Sequence, residues 1–356
     1  MSVLDLARPE LRALAGYSSA RMEAGSDGIL LNANESPWPQ DVDAPLNRYP
    51  EPQPLRLRSL WAAYCGVDPS HLLLGRGSDE MIDLLVRGFC RAGRDAILVQ
   101  PPTFGMYAVC AAVQGAAVRA VPLSPASAFA PDFAAVLAAA DARVKLVFVC
   151  APNNPTGNMP ARASVLALAE ALRDRALVVV DEAYIEFADV QSLAAQVSAH
   201  ANLVVLRTLS KAHALAAARV GCLIAAPEIV GLLRRIMPPY PLPTPCVDAA
   251  EAALSPVGLR GMRERIARVC GERERLRGWL ERLNGVREVL ASQANFLTVR
   301  FDEADAQLAM LRERGIVVRD LRRNPRLEDA LRITIGSPEE NAALMAALAQ
   351  PLEVAR

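Results

Sequence analysis

Thr208-Leu209-Ser210-Lys211-Ala212-His213-Ala214-Leu215-Ala216-Ala217-Ala218-Arg219-Val220-Gly221 contains one of only two lysines in a chain of 356 residues. Lysine and arginine together number 39, so nearly every positive charge is written as Arg. Solubility therefore does not account for Lys211. Amine chemistry can, because a guanidinium stays protonated whereas a lysine amine can form a Schiff base. The other lysine, Lys145, precedes the apolar run Leu146-Val147-Phe148-Val149-Cys150 and reads as a strand-edge charge. A lone lysine is usually a solvated surface group, so the residues around Lys211 decide its meaning.

Working outward, apolar runs alternate with helical periodicity. Strands are predicted at 72–74, 96–99, 117–121, 146–150, 177–180 and 203–207, and helices at 81–90, 104–114, 133–140, 164–174 and 192–198. Val-rich runs such as Leu177-Val178-Val179-Val180 suit strands buried on both faces of a mostly parallel sheet. In such sheets ligands gather beyond the carboxyl ends of the strands. The polar residues fall there: Asn153-Asn154 after one strand, Asp181 and Tyr184 after another, Thr208 to Lys211 after a third. Upstream, the proline-dense stretch to Pro54 reads as an extended arm, and Gly75-Arg76-Gly77-Ser78-Asp79 turns into a helix whose N-terminus suits a phosphate. Downstream, prolines between Pro238 and Pro245 mark a boundary, followed by a long Arg- and Glu-rich helix at 260–283 and a compact α+β unit with strands at 296–300, 316–319 and 331–335. The expected division is an arm at 1–54, a large domain at 55–237 and a small one at 238–356.

Composition narrows the class. Hydrophobic residues make up 52% and charged residues 22%, an ordered globular balance. Formal net charge is zero, so no global field favours nucleic acid or a membrane surface. Seven cysteines without a C-x-x-C pair suggest reduced thiols. With neither a secretory leader nor a membrane-length apolar run in view, a cytoplasmic protein is expected.

The polar set has a chemical logic. Lys211 is an amine, and Asp181, closing Val178-Val179-Val180, can keep a ring nitrogen protonated. Tyr184 and Asn154 can address a phenolic oxygen, while Thr208, Ser210, Arg219 and the Gly77-Ser78-Asp79 turn can hold a phosphate. These are the requirements of pyridoxal phosphate chemistry. Taken singly, Asp181 could be a strand-end cap, Tyr184 a core aromatic and Asn154-Pro155 an ordinary turn.

The motifs A-P-N-N-P-T-G (Ala151–Gly157), V-V-V-D-E-A-Y (Val178–Tyr184) and T-L-S-K-A-x-x-L-A-x-x-R-x-G (Thr208–Gly221) resemble those of fold-type I aminotransferases. L-N-A-N-E (Leu31–Glu35), N-R-Y-P-E (Asn47–Glu51) and P-Y-P-L-x-T-P (Pro239–Pro245) narrow this to a resemblance to the histidinol-phosphate aminotransferases. R-G-S-D-E (Arg76–Glu80), P-P-T-F-G-M-Y (Pro101–Tyr107) and L-R-I-T-I-G (Leu331–Gly336) fit the same family, so the resemblance spans the whole chain.

The resemblance implies an α/β fold with a mostly parallel seven-stranded large domain and a smaller α+β C-terminal domain. It implies pyridoxal 5'-phosphate as cofactor, held by Gly77, Ser78, Asp79, Thr208, Ser210 and Arg219, with Lys211 as Schiff-base lysine and proton carrier. Asp181 would be the ring-nitrogen partner, Tyr184 and Asn154 the phenolic-oxygen partners, and Tyr107 would pack on the ring. Tyr49 would reach a neighbouring subunit's site, making the enzyme a homodimer. Tyr17, Asn34, Tyr107, Asn154, Arg319 and Arg332 would line the substrate pocket. The implied reaction joins L-histidinol phosphate and 2-oxoglutarate to imidazole-acetol phosphate and L-glutamate, in histidine biosynthesis. An aromatic amino-acid aminotransferase, a phosphothreonine decarboxylase and a non-enzymatic regulator are the competing readings. Ala214 and Ala217 stand where the family often has Gly, Phe104 where Tyr is common, and His213 reads as a packing residue.

Overall fold

In the computed structural model, residues 2–17 and 29–350 are described. A seven-stranded sheet is built from β1 (Leu72–Gly75), β2 (Ala96–Val99), β3 (Ala117–Ala120), β4 (Val144–Cys150), β5 (Leu177–Asp181), β6 (Leu203–Thr208) and β7 (Gly221–Ile224). Their spatial order is β1-β7-β6-β5-β4-β2-β3. Neighbours from β3 to β6 run parallel, and β7 is antiparallel to both β6 and β1. The expected mostly parallel sheet is therefore present.

Alternation along β5 shows why its apolar run is continuous. Val178 and Val180 join one hydrophobic cluster, with Leu57 and Trp61 of the helix Leu55–Cys65 and Val165 and Leu168 of the helix Arg162–Ala171. Leu177 and Val179 point the other way, toward Met81 and Leu85 of the helix Gly77–Phe89 and Ile229 and Leu232 of the helix Pro227–Ile236. Side chains of period two with both faces covered leave no polar position in the strand. Polar residues are thereby confined to strand ends, where the site lies.

A second, four-stranded antiparallel sheet contains β8 (Val286–Val289), β9 (Phe296–Phe301), β10 (Arg319–Asp320) and β11 (Ala330–Thr334), ordered β10-β11-β9-β8. Leu276, Leu280, Leu308, Leu311, Leu344 and Leu348, from the helices Pro256–Leu280, Ala304–Glu313 and Pro338–Leu348, close its core.

Several elements differ from expectation. The short return strand β7 was not anticipated; it begins at the glycine that ends the Lys211 stretch. The helices Pro227–Ile236 and Thr244–Leu254 carry proline in their first turn, where its missing N–H costs nothing, so proline there starts a helix instead of ending one. Leu242, Val247, Ala250 and Leu254 pack into the core of the large sheet. The helix expected at 192–198 is a single 3-10 turn at Ala194–Gln196, and the strand expected at 316–319 shrinks to Arg319–Asp320. Among the described residues no helix is long and apolar enough to cross a membrane.

Candidate active site

The carboxyl ends of β4, β5 and β6 and the N-terminus of the helix Gly77–Phe89 converge on a cavity of about 130 Å³. Lys211, Asp181, Tyr184, Asn154, Ser78, Asp79, Thr208, Ser210 and Arg219 all line it. Lys211 stands on the loop between β6 and β7, its Nζ 5.6 Å from the centre of the Tyr184 ring. The residue lines the cavity and remains exposed. Enough protein surrounds the amine for burial, and then the charge of Arg332, to hold it below the usual lysine range.

Asp181 ends β5 and is only 2% exposed. Burial pushes its carboxyl up to about 6, against the opposing hydrogen bonds from Tyr107 and the Ala183 amide. Across the cavity, Asn154 Nδ2 lies 3.5 Å from the Tyr184 hydroxyl, and Arg332 donates to the Asn154 side-chain oxygen. Burial, first among the causes, raises the Tyr184 phenol and lowers the Arg332 guanidinium.

At the other end, Thr208 Oγ1 donates to Ser210 Oγ at 2.9 Å, Arg219 reaches Ser210 Oγ at 3.4 Å, and Arg219 Nη2 pairs with Asp79 at 3.1 Å. The backbone makes room there. A Cβ on Gly221 would fall 2.5 Å from the carbonyl carbon of Gly77 and 2.7 Å from the amide nitrogen of Ser78. Gly77 itself has φ +80°, a left-handed conformation that favours glycine. The result is a cradle of backbone amides and hydroxyls at a helix N-terminus.

The full-length relatives agree on the family. The family described as "Aminotransferase class I and II" matches residues 29–348. A histidinol-phosphate aminotransferase of Stenotrophomonas maltophilia is 57% identical over 97% of this chain and 96% of its own. One from Xanthomonas euvesicatoria is 55% identical over 99% and 98%. The chain belongs to the histidinol-phosphate aminotransferases, within the class I and II family. A solved histidinol-phosphate aminotransferase from Sinorhizobium meliloti, in complex with pyridoxal 5'-phosphate, superposes with a TM-score of 0.78 at 27% identity, covering 85% of this chain and 82% of that one.

The cavity of this aminotransferase fits that cofactor on its own chemistry. An amine, a buried acid, a phenol with an amide, and a glycine-lined anion cradle occupy separate walls of one space.

Not every expected residue lies there. Tyr107 is fully buried behind Asp181 and does not line the cavity; Phe104, three residues earlier, does. The sequence places Tyr107 against the cofactor ring; in the structure Phe104 is the aromatic residue that faces the cavity. Tyr49 stacks on Tyr240 at 4.5 Å, outside the cavity. Tyr17 is 72% exposed, and Asn34 has φ 55° on the arm, also outside the cavity. Arg319 is exposed but is the register partner of Arg332. Cys150, Ala183 and Ala216 also line the cavity and were missed, since small or apolar types give no chemical signal in a sequence.

Proposed function

We propose that this chain catalyses the pyridoxal phosphate-dependent transfer of an amino group between L-histidinol phosphate and 2-oxoglutarate, giving imidazole-acetol phosphate and L-glutamate, a step of histidine biosynthesis. The observation that carries the reading is the cavity's one lysine, Lys211, sharing that space with the buried acid Asp181 and the Ser78–Arg219 cradle. Its substrate follows from relatives of 53–57% identity named for it.

When bound, the cofactor supplies an electron-accepting ring that stabilises the charge left as the substrate carbon loses its proton. Lys211 would hold the cofactor aldehyde through Nζ and, once displaced, carry that proton. Its lowered proton affinity widens the pH range in which it is a free amine. Asp181 would face the ring nitrogen and keep a proton there. Tyr184 and Asn154 would hold the phenolic oxygen, and the amides of Gly77, Ser78 and Asp79 with Thr208, Ser210 and Arg219 would hold the phosphate. Phe104 would cover the ring. Arg332, with Arg319 opposite, would take a substrate phosphate in one half-reaction and a carboxylate in the other, both suited to a planar guanidinium fork.

The working unit would be a cytoplasmic homodimer, with Tyr49 supplied to the neighbouring site and Tyr17 and Asn34 closing the pocket. Supporting this, Ile29, Leu31, Trp38 and Val42 of the arm are 90%, 88%, 80% and 79% exposed, an apolar surface that another copy would cover. The chain would divide into an arm at 1–54, a large domain at 55–237 and a small one at 238–356, with the helix Thr244–Leu254 packed on the large sheet.

The test follows the visible absorbance of the purified enzyme while L-histidinol phosphate is added without keto acid. The band should be lost stoichiometrically, and far more readily than with phenylalanine. Loss with aromatic amino acids alone would overturn the substrate, and a band that cannot be generated with added pyridoxal phosphate would overturn the role of Lys211.

A further inference from the structure

Asp181 is held from two sides. Its Oδ2 accepts from the Tyr107 hydroxyl at 2.8 Å, and its Oδ1 accepts from the Ala183 amide at 3.2 Å. Tyr107 cannot turn away. Its ring is stacked on Phe148 at 4.5 Å with the planes 11° apart, and it meets the edge of Phe104 at 5.6 Å. The residue is 0% exposed. A hydroxyl buried that completely costs stability unless it is partnered, and phenylalanine would fill the same space without that cost. The oxygen is thus explained by its partner, not by packing.

We infer that Tyr107 is a positioning residue for the aminotransferase reaction: its phenol fixes the Asp181 carboxylate, and it acts on the bound cofactor ring through that carboxylate instead of by contact. The inference rests on the reading of the cavity as a pyridoxal phosphate site. The other groups facing Asp181 do not substitute for the phenol. Cys150 on β4 is a thiol pushed up to about 12 by burial and then by Asp181 itself, so it stays neutral; Asp79 on the phosphate side raises the Asp181 carboxyl, and Lys211 on the β6–β7 loop is a weaker influence than the Tyr107 hydrogen bond. Removing the phenol leaves one amide to oppose burial, so the carboxyl becomes harder to ionise and freer to rotate. Phe104 and Tyr107 then divide the work. One ring covers the cavity, and the other fixes the acid at its back wall.

The experiment compares wild type, Tyr107→Phe, Asp181→Asn and the double variant. Pyridoxal phosphate affinity of the apoproteins is measured by titration, alongside the pH dependence of the bound cofactor's visible band, kcat and KM. In Tyr107→Phe, cofactor affinity and kcat should each fall about ten- to hundredfold, the scale of a hydrogen bond to a charged group, with KM nearly unchanged. The band's pH transition should shift, and the apoprotein should stay folded by circular dichroism. In the Asp181→Asn background the Tyr107→Phe effect should vanish, since the two residues act as one unit. Wild-type affinity and an unshifted transition in Tyr107→Phe, or an equal effect in both backgrounds, would overturn the inference and leave the proposed function standing. Failure of the wild type itself to bind pyridoxal phosphate would overturn both.

Discussion

Arg319 and Arg332 face one another as a register pair on the antiparallel strands β10 and β11. Like charges directly opposed on a sheet destabilise it by about 0.2–1 kcal/mol. Arg332 is spared neither burial nor the neighbouring charge, both of which lower its guanidinium, and its Nε is buried without a partner. An anion between the two would relieve all three conditions. Arg332→Gln should therefore lower kcat/KM for L-histidinol phosphate about hundredfold, and the exposed Arg319→Gln by about tenfold or less. Without substrate, Arg319→Gln should gain a few tenths of a kcal/mol of stability. Steady-state kinetics and urea denaturation of the same proteins check both signs.

Ala214, in the turn after Lys211, has φ 58°, and Arg219, five residues on, has φ 54°. A left-handed conformation costs a residue with a Cβ roughly 1–2 kcal/mol. Ala214→Gly should stabilise the protein by about 1 kcal/mol. Ala217, in the 3-10 turn Ala216–Ala218, is not left-handed, so Ala217→Gly should destabilise by about 0.5–1 kcal/mol. Opposite shifts of the urea midpoint in the two variants are the expected result.

The contrast between those alanines marks what a sequence can carry. Both stand out as departures from a glycine pattern, yet only a backbone dihedral separates the strained one from the harmless one. Lys211, Asp181 and Asn154 were legible because a rare or polar residue type at the end of an apolar run is seldom placed there for packing. Tyr107 was legible as important but not as to direction: it lies in the first turn of the helix Met106–Gln114, on its buried side, and which wall its hydroxyl meets depends on the stacking with Phe148. β7 is a four-residue return strand that begins within the Lys211 stretch, too short to show a period of its own. The helices Pro227–Ile236 and Thr244–Leu254 were hidden by prolines whose position in the first turn becomes evident only once the helix is placed.

Asp181 should make the apoprotein less stable than it need be. Its folded value of about 6 lies above its ordinary value of 3.8, because burial outweighs its hydrogen bonds. Such a group favours folding most below pH 3.8, and that contribution is lost as pH rises through about 6. Above that range the charged, buried acid costs about 2–3 kcal/mol. Asp181→Asn apoprotein should be more stable than wild type at pH 8 by about 1–3 kcal/mol, and the gain should shrink as pH falls below about 6. Denaturation curves at several pH values measure it.

His213 should act in the opposite sense. It is 3% exposed, meets Tyr64 edge-on at 5.4 Å, and has no hydrogen-bond partner at either ring nitrogen. Burial holds its imidazole down to about 4, with the attraction of Glu186 insufficient to offset burial and the repulsion of Arg207 and Arg265. A depressed value means stability that is present above the ordinary 6.5 and lost as pH falls through about 4. The loss amounts to about 3 kcal/mol for wild type. His213→Phe keeps an aromatic ring against Tyr64 and has nothing to protonate, so its stability should fall by that much less between pH 6.5 and 4. If the two proteins lose stability in parallel over this range, His213 is charged or solvated in the native state and is not a buried, neutral ring.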